Sequence, residues 1–361
     1  MNNPKIYLVV GEHSGDIHGA ELILEILRKS PNAEIRYMGG DSMEKAGGKL
    51  AYHYKDVAIM GFIEVLKNLS KIKKHLKNVR KDIELFSPDK IVFIDFPGFN
   101  LRLAKKLFSK FELHYYIAPK AWAWNKKRVY ALAKYIKQVH CILPFEVDFF
   151  SPFGVQASYV GNPSKSQVET YLSKNSAQEK EYIALFPGSR KQEIERILPI
   201  MLEVIKRFEK ESFKISKAAN LPYEVYMPFV ASADQLYEDN YALLNGAKAA
   251  LVTSGTATLE TALFGVPQVV CYVANNISYQ IAKRLVSVEY ISLVNLIAGK
   301  EVVTELIQES CQPDQIEKEL RKILSLEGSQ SMLTSYQKIR EKLGKEISSQ
   351  NVAKSLTSSS L

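Results

Sequence analysis

An α/β fold of two doubly wound, parallel-sheet halves is predicted by three observations. Near-continuous apolar runs of four or five residues recur along the chain, helix-period stretches separate them, and the alternation restarts after a polar interval that follows Pro163. At 361 residues the chain also exceeds what a single core usually serves, so two domains of ordinary size are expected, divided near 163/164.

Ile6 to Val10 opens the first half as a buried strand. It is too short for a signal-peptide core or a membrane span, and it runs directly into Gly11-Glu12. From Gly15 onward, Ala20, Ile23, Leu24 and Leu27 recur at helical spacing. Ile91 to Ile94 is the next strand, preceded by Pro88-Asp89 and ended by Asp95-Phe96-Pro97-Gly98; His114 to Ile117 and Val139 to Leu143 repeat the theme. The polar stretch from Ser164 to Lys180 reads as a hinge region. Tyr182 to Phe186 then starts a second sheet, followed by a helix with Ile194, Ile197, Leu198, Met201, Leu202, Ile205 and Phe208 on one face. Val225 to Phe229, Ala249 to Val252 and Val269 to Val273 are expected to continue that sheet. The segment from Ile316 is helical and ends in a Ser-rich tail expected to fray.

With 46% hydrophobic and 24% charged residues the chain is globular, and its net charge of +9 favours an acidic partner: a phosphorylated small molecule, an anionic lipid or a nucleic acid. Cys141, Cys271 and Cys311 lie far apart without paired spacing. That argues against a disulfide framework or thiolate metal site and for the cytoplasm. The segment Met60-Gly61-Phe62-Ile63-Glu64-Val65-Leu66 leads into Lys67, Lys71, Lys73, Lys74, Lys77, Arg80 and Lys81. Met60, Phe62, Ile63 and Leu66 bordered by lysines suit an anionic membrane surface; an amphipathic helix with a solvated basic face is the alternative.

Ligands of open α/β sheets gather at the carboxyl ends of the strands, and every chemically suggestive loop here sits there. Ser254-Gly255-Thr256-Ala257-Thr258-Leu259-Glu260 joins a strand to a helix through small residues. It leaves backbone N–H groups at the positive helix end, where Ser254 and Thr256 can cap the helix or bond an oxyanion. Gly188-Ser189-Arg190 forms a second such turn, in which Arg190 can clamp a phosphate or pair with Glu193. Two anion-competent loops on one sheet edge suit a diphosphate, and Glu260, one helical turn past Thr256, suits ribose hydroxyls.

In the first half, Gly11-Glu12-His13-Ser14-Gly15-Asp16 lacks the G-x-G-x-x-G spacing and carries two acids that would repel a pyrophosphate. Glu12, Asp16 and Ser14 better suit sugar hydroxyls or proton transfer. Asp95 faces the same edge or caps the turn that follows it. Trp122 and Trp124 stand beside Lys120, Lys126, Lys127 and Arg128. They read either as a surface for a glycan or acyl chain, or as one ring in the core and one half exposed. No D-x-D motif and no histidine ligand spacing is present, so nothing in the sequence calls for a metal or other cofactor.

Taken in order, these motifs resemble the lipid-A-disaccharide synthase family. They are Gly11 to Asp16, Met60 to Leu66, Ile94 to Asn100, Trp122-Ala123-Trp124, Leu143-Pro144-Phe145-Glu146, Pro187 to Arg190, Ser254 to Glu260 and Ser292-Leu293-Val294-Asn295-Leu296. The resemblance implies a GT-B-like fold: two Rossmann-like domains facing a cleft, spanning 1–163 and 164–335, with residues 336–361 as a helix returning to the first domain and a polar tail. It implies inverting transfer of 2,3-diacylglucosamine from UDP-2,3-diacylglucosamine to the 6-hydroxyl of 2,3-diacylglucosamine 1-phosphate (lipid X), on the inner face of the inner membrane. By this resemblance Asp95 is the base, Ser14 lies in the active site, Arg190 contacts UDP, and Thr256, Glu260, Asn295 and Gln308 lie on the nucleotide side. Glu12 belongs with the catalytic group, and Asn100, Trp122 and Trp124 with the acceptor. Many family members carry an acid where this chain has Gly98 and a histidine where it has Asn162. Self-association into a homodimer is left open. A UDP-N-acetylglucosamine 2-epimerase-like enzyme would share the nucleotide half but has no use for the apolar, lysine-edged segment. A basic nucleic-acid-binding protein lacks any recognised motif here, so no nucleic-acid partner is expected.

Overall fold

The computed structural model describes residues 3–56, 69–275, 279 and 288–358. The chain divides into two compact units, one of Met1–Pro163 with Lys345–Leu361 and one of Ser164–Gly344.

The first unit is a seven-stranded parallel sheet of β1 (Lys5–Val10), β2 (Glu34–Gly39), β3 (Lys49–His53), β4 (Lys90–Ile94), β5 (Glu112–Tyr116), β6 (Gln138–Cys141) and β7 (Ala157–Tyr159), in the order β3-β2-β1-β4-β5-β6-β7. Alternate side chains leave opposite faces of a strand, and both faces here are buried. Tyr7, Val9, Ile91, Phe93, Leu113, Tyr115 and Val139 enter one core. It is covered by α3 (Leu69–Phe86), α4 (Pro97–Leu107), α5 (Lys127–Tyr135) and α6 (Phe145–Phe150). Ile6, Leu8, Val10, Val92, Ile94 and Tyr116 enter the other, under α1 (His13–Lys29) and α2 (Asp41–Ala46). Of the expected stripe on helix α1, Ile23 is buried and Ala20 and Leu27 pack against this core, with Leu22 and Ile26 buried beside them; Leu24 is 57% exposed. The helix is turned so that Gly15 and Gly19 also sit on the buried side. A Cβ on Gly19 would reach the sulfur of Met43 in α2 at 2.6 Å, so close α1–α2 packing sets the rotation.

The second unit is a six-stranded parallel sheet of β8 (Tyr182–Phe186), β9 (Ser212–Ser216), β10 (Leu236–Tyr237), β11 (Ala247–Thr253), β12 (Gln268–Tyr272) and β13 (Glu305–Ile307), in the order β10-β9-β8-β11-β12-β13. The strand expected at Val225 to Phe229 is absent. A 3-10 turn, Tyr223–Val225, ends where the run starts, and Pro228 inside the run supplies no ladder N–H; β9 is the strand that pairs with β8. The polar interval after Pro163 is largely helical, forming α7 (Pro163–Lys174) with Val168 fully buried. Along the rest of the unit run α8 (Lys191–Ile205), α9 (Asn240–Asn245), α10 (Thr256–Leu263), α11 (Leu293–Ala298), α12 (Pro313–Leu324) and α13 (Leu326–Lys342).

A boundary at 335/336 would cut α13, so the second unit extends to Gly344 instead. The reason is packing: Tyr336 and Ile339 are buried, and the Tyr336 hydroxyl accepts from the fully buried Gln268 Nε2 at 3.2 Å. The last helix, α14 (Ser348–Thr357), buries Val352, Ala353 and Leu356 in the α1 side of the first unit's core. The Lys90 ammonium caps its carboxyl end, donating to Leu356 O at 2.9 Å and Ser355 O at 3.3 Å. Replacing Leu356 by alanine is therefore expected to cost about 3 kcal/mol, read as a lower denaturant midpoint at unchanged slope.

Candidate active site

In both sheets the order reverses once, between β1 and β4 in the first and between β8 and β11 in the second. At such a switch point the loops leaving neighbouring strands diverge to opposite faces and open a crevice. Val10 pairs with Ile94 and Phe186 with Val252. Hence Glu12 to Ser14 and Asp95 leave one crevice edge, and Gly188 to Arg190 and Ser254 to Thr256 leave the other sheet's.

Asp95 and Phe96 both have left-handed backbones, with φ of 45° and 47°. Two consecutive non-glycine residues in that region are strained, and fixed bonds must hold them. The Tyr115 hydroxyl and Asn100 Nδ2 both donate to Asp95 O, at 2.5 and 2.8 Å, and Asp95 N donates to Tyr116 O at 3.1 Å. Asn100, expected on the acceptor side, is fully buried and commits its Nδ2 to this backbone clamp, while its Oδ1 takes no hydrogen bond among the described residues. A Cβ at Gly11 would collide with the Phe96 ring, so the strained turn also dictates glycine there.

The turn brings the Asp95 carboxyl against Glu12, whose Oε1 also accepts the Ser14 hydroxyl at 2.9 Å. Burial, then the Glu12 charge, pushes the Asp95 pKa up to about 6, against the opposing pull of Lys120. Glu12, Ser14 and Asp95 are thus one constellation, and a carboxyl near 6 is a competent base at neutral pH. Asp16 is committed elsewhere, accepting the N–H groups of Gly40, Ser42 and Met43 at 2.7, 2.9 and 3.3 Å to cap α2. Gly98 is exposed, and a Cβ there meets nothing within 4 Å. Gly98→Asp should therefore fold with a stability change within about 0.5 kcal/mol and raise the acid limb of the pH–rate profile. The added charge in the first turn of α4 opposes ionisation of Asp95.

The two tryptophans divide. Trp122 is 7% exposed and Trp124 is 43% exposed, so one ring plugs the core and the other faces solvent. Trp122 Nε1 donates to Glu146 Oε1 at 3.0 Å, while Glu146 Oε2 accepts the N–H groups of Ile142 and Leu143 at 3.2 and 3.1 Å. Burial drives the Glu146 pKa up to about 7 despite these bonds. An acid within the apolar run Leu143 to Phe150 was the available signal for this anchor, and the sequence reading gave it no role. Asn162 Nδ2 donates to Ile142 O at 3.0 Å, on the same loop.

In the second unit the two anion-competent turns are not equivalent. Glu193 Oε2 already accepts the N–H groups of Ser189 and Arg190 at 3.1 and 3.3 Å, and its Oε1 pairs with the Arg190 guanidinium at 2.8 Å. Gly188 is required here, because its φ is 120° and a Cβ would lie 2.8 Å from that of Glu193. What this turn offers an anion is the exposed Ser189 hydroxyl and a guanidinium 76% exposed. At α10, by contrast, Gly255 holds the cap position, no side chain caps the helix, and Thr256 lies exposed at its first residue. Ser254 Oγ donates to Ile291 O at 2.9 Å, and Glu260 Oε1 accepts the Ser164 hydroxyl at 3.4 Å.

Asn295 lies in the first turn of α11. It is fully buried, its Nδ2 donates to Val303 O and Glu305 Oε1, both at 2.9 Å, and its Oδ1 accepts the N–H groups of Val302 and Val303. Gln308, with φ of 54°, ties the ends of β12 and β13 by accepting the Ala274 N–H at 2.5 Å. Met60, Phe62, Ile63 and Leu66 lie outside the described residues.

Comparison with known proteins adds to this geometry. The family model described as lipid-A-disaccharide synthetase matches residues 6–358. The lipid-A-disaccharide synthase of Nitrosococcus oceani is 34% identical over 358 residues, covering 94% of this chain and 92% of that protein. Among solved structures, the glycotransferase of kitacinnamycin superposes with a TM-score of 0.64 at 12% identity, covering 98% of both chains. The UDP-GlcNAc 2-epimerase of Neisseria meningitidis, bound to UDP-GlcNAc, gives 0.58 at 14%, covering 98% of this chain and 97% of that one. The two structural likenesses concern the fold, which is of the GT-B kind.

Proposed function

Because this chain belongs to the lipid-A-disaccharide synthetase family, we propose that Asp95 is the general base of its glycosyl transfer. The chain is a glycosyltransferase of lipid A disaccharide synthesis, using a UDP-sugar donor and a lipid acceptor. In the proposed reaction the donor is UDP-2,3-diacylglucosamine and the acceptor is lipid X. Asp95 takes the proton of the acceptor 6-hydroxyl as its oxygen bonds to C1 of the donor sugar. The C1–oxygen bond to UDP breaks, and UDP leaves with the electron pair. One displacement on an α-linked donor gives a β-1,6 bond, so a base is needed on the acceptor side and no covalent sugar–enzyme intermediate forms. Negative charge growing on the leaving diphosphate is met by the uncapped start of α10 and by Arg190.

The observation that carries the assignment is the Asp95 carboxyl held against Glu12 with its pKa raised to about 6. The decisive experiment incubates the protein with UDP-2,3-diacylglucosamine and lipid X in detergent, with and without chelator, and identifies the lipid product by mass. Disaccharide 1-phosphate plus UDP, unaffected by chelator, is expected. Interconversion of UDP-N-acetylglucosamine without an acceptor would point to epimerase chemistry instead.

Substrates bearing acyl chains are reached at a bilayer, and the second part of the proposal is docking on the anionic cytoplasmic face of the inner membrane. No described helix is long and apolar enough to cross a membrane. Helix α3 turns Leu76, Val79 and Ile83 into the core and leaves Lys71, Lys73, Lys74, Lys77 and Lys81 exposed, a basic face that follows the apolar segment in sequence. Replacing Phe62, Ile63 and Leu66 together by serine is expected to lower binding to anionic vesicles about tenfold or more, as lost apolar burial implies, with UDP affinity unchanged. Unchanged flotation with vesicles would remove the docking role.

A further inference from the structure

We propose that Arg128, stacked on Trp124 with Lys120 nearby, binds the phosphate monoester of the acceptor sugar. The inference rests on the acceptor chemistry of the preceding section and assigns a residue to its phosphate.

The loop leaving β5 turns at Asn125, whose φ is 56°, and Arg128 N closes that turn on Asn125 O at 3.0 Å. This places the Arg128 guanidinium 4.4 Å from the centre of the Trp124 ring. The stack leaves the edge of the planar fork, with its five N–H donors, free to receive an anion in bidentate fashion. Arg128 is half-buried, yet among the described residues no carboxylate pairs with it and no acceptor takes its N–H groups. A partly desolvated guanidinium with no carboxylate in direct contact is unusual in a resting structure, because desolvation is offset best by direct pairing. Burial lowers its pKa accordingly, with Asp95 among the groups acting the other way.

Position selects the ligand. Strand β5 is the neighbour of β4, Tyr115 of β5 donates to Asp95 O, and both Arg128 and Lys120 act electrostatically on the Asp95 region. An acceptor whose hydroxyl meets Asp95 therefore has two cations close by, and its phosphate is the group that calls for them. The donor diphosphate has its own proposed turns at β8 and β11.

The test compares wild type, Arg128→Met and Arg128→Lys in detergent micelles free of anionic lipid. Each is assayed with 2,3-diacylglucosamine 1-phosphate and with 2,3-diacylglucosamine lacking the phosphate. Wild type should prefer the phosphorylated acceptor. Arg128→Met should lose about 10- to 100-fold on it, mainly in KM, as expected for a charge-assisted bidentate contact, with a much smaller loss on the unphosphorylated acceptor and inhibition by UDP unaffected. Arg128→Lys, lacking the fork, should fall between them. A preference that persists in Arg128→Met overturns the assignment. So does a variant whose only defect is weaker binding to anionic over zwitterionic vesicles, since the phosphate bound would then be a membrane headgroup. If Arg128→Met melts early, the split of KM from kcat in Arg128→Lys decides. Wild type that makes no disaccharide from either acceptor would indict the reaction itself, a distinct outcome.

Discussion

Asp95→Asn is expected to lower turnover by at least about 100-fold, the scale of a lost general base, while making the protein more stable at neutral pH. The two effects share one cause. A carboxyl whose folded pKa is raised, here from 3.8 to about 6, binds its proton more tightly folded than unfolded. Its contribution to stability is fully present below the unfolded value and is lost as pH rises through about 6. At pH 7 the ionised, half-buried Asp95 beside Glu12 therefore costs up to about 3 kcal/mol. An isosteric amide removes that charge and can keep the backbone clamp from Tyr115 and Asn100. The stability gain should appear as a higher melting temperature at pH 7 and vanish near pH 4. For the wild-type enzyme, kcat/KM should rise with pH along an acid limb near 6. Glu12→Gln should shift that limb downward, because removing the neighbouring charge lowers the Asp95 pKa. A variant with near-normal turnover, or a limb that ignores Glu12, would move the base elsewhere.

The strands nearest each switch point were legible because parallel strands buried on both faces read as unbroken apolar runs, as in Ile91 to Ile94 and Tyr182 to Phe186. Strand β9 escaped that test, since Ser212-Phe213-Lys214-Ile215-Ser216 looks half polar. In the fold, Lys214 lies with its ammonium 3.9 Å from the centre of the Tyr182 ring. Its stem covers apolar surface while the charge finds an aromatic face. Residue types with chemical potential were also legible, but not their allegiance. Asn100 and Asn295 carry the groups a ligand would want, yet both satisfy backbone that would otherwise be buried unpaired. An amide that clamps a turn and one that grips a nucleotide are the same letter, and long-range packing decides between them. The left-handed pair Asp95-Phe96 is of the same kind: no local propensity asks for it, and it exists because Tyr115 and Asn100 hold it from other elements.

Glu146 shows how such an anchor reaches function, and Glu146→Ala is expected to be the most damaging single change to the first unit. The substitution strands the Trp122 indole N–H and the backbone N–H groups of Ile142 and Leu143. With the void left behind, these uncompensated donors should cost about 4 kcal/mol. Trp122 also sits edge-on to Phe145, with centroids 5.1 Å apart, so its release loosens the loop that carries Trp124 and leads into Arg128 at the start of α5. Glutamine should rescue only in part, because a carboxylate offers acceptors at both ends whereas an amide turns an NH2 toward one set of donors. The wild-type carboxyl, raised from 4.5 to about 7 by burial, faces Lys120 and lies near Cys141 and Tyr159. Its contribution to stability is lost as pH rises through that window, so wild type should lose more stability between pH 5 and pH 8 than Glu146→Gln does. Tryptophan emission provides the local reading. Trp122 is one of only two tryptophans, and its emission should shift to the red in Glu146→Ala at temperatures where the fold persists. An unshifted spectrum with an unchanged unfolding midpoint would show that the indole is held by its packing alone.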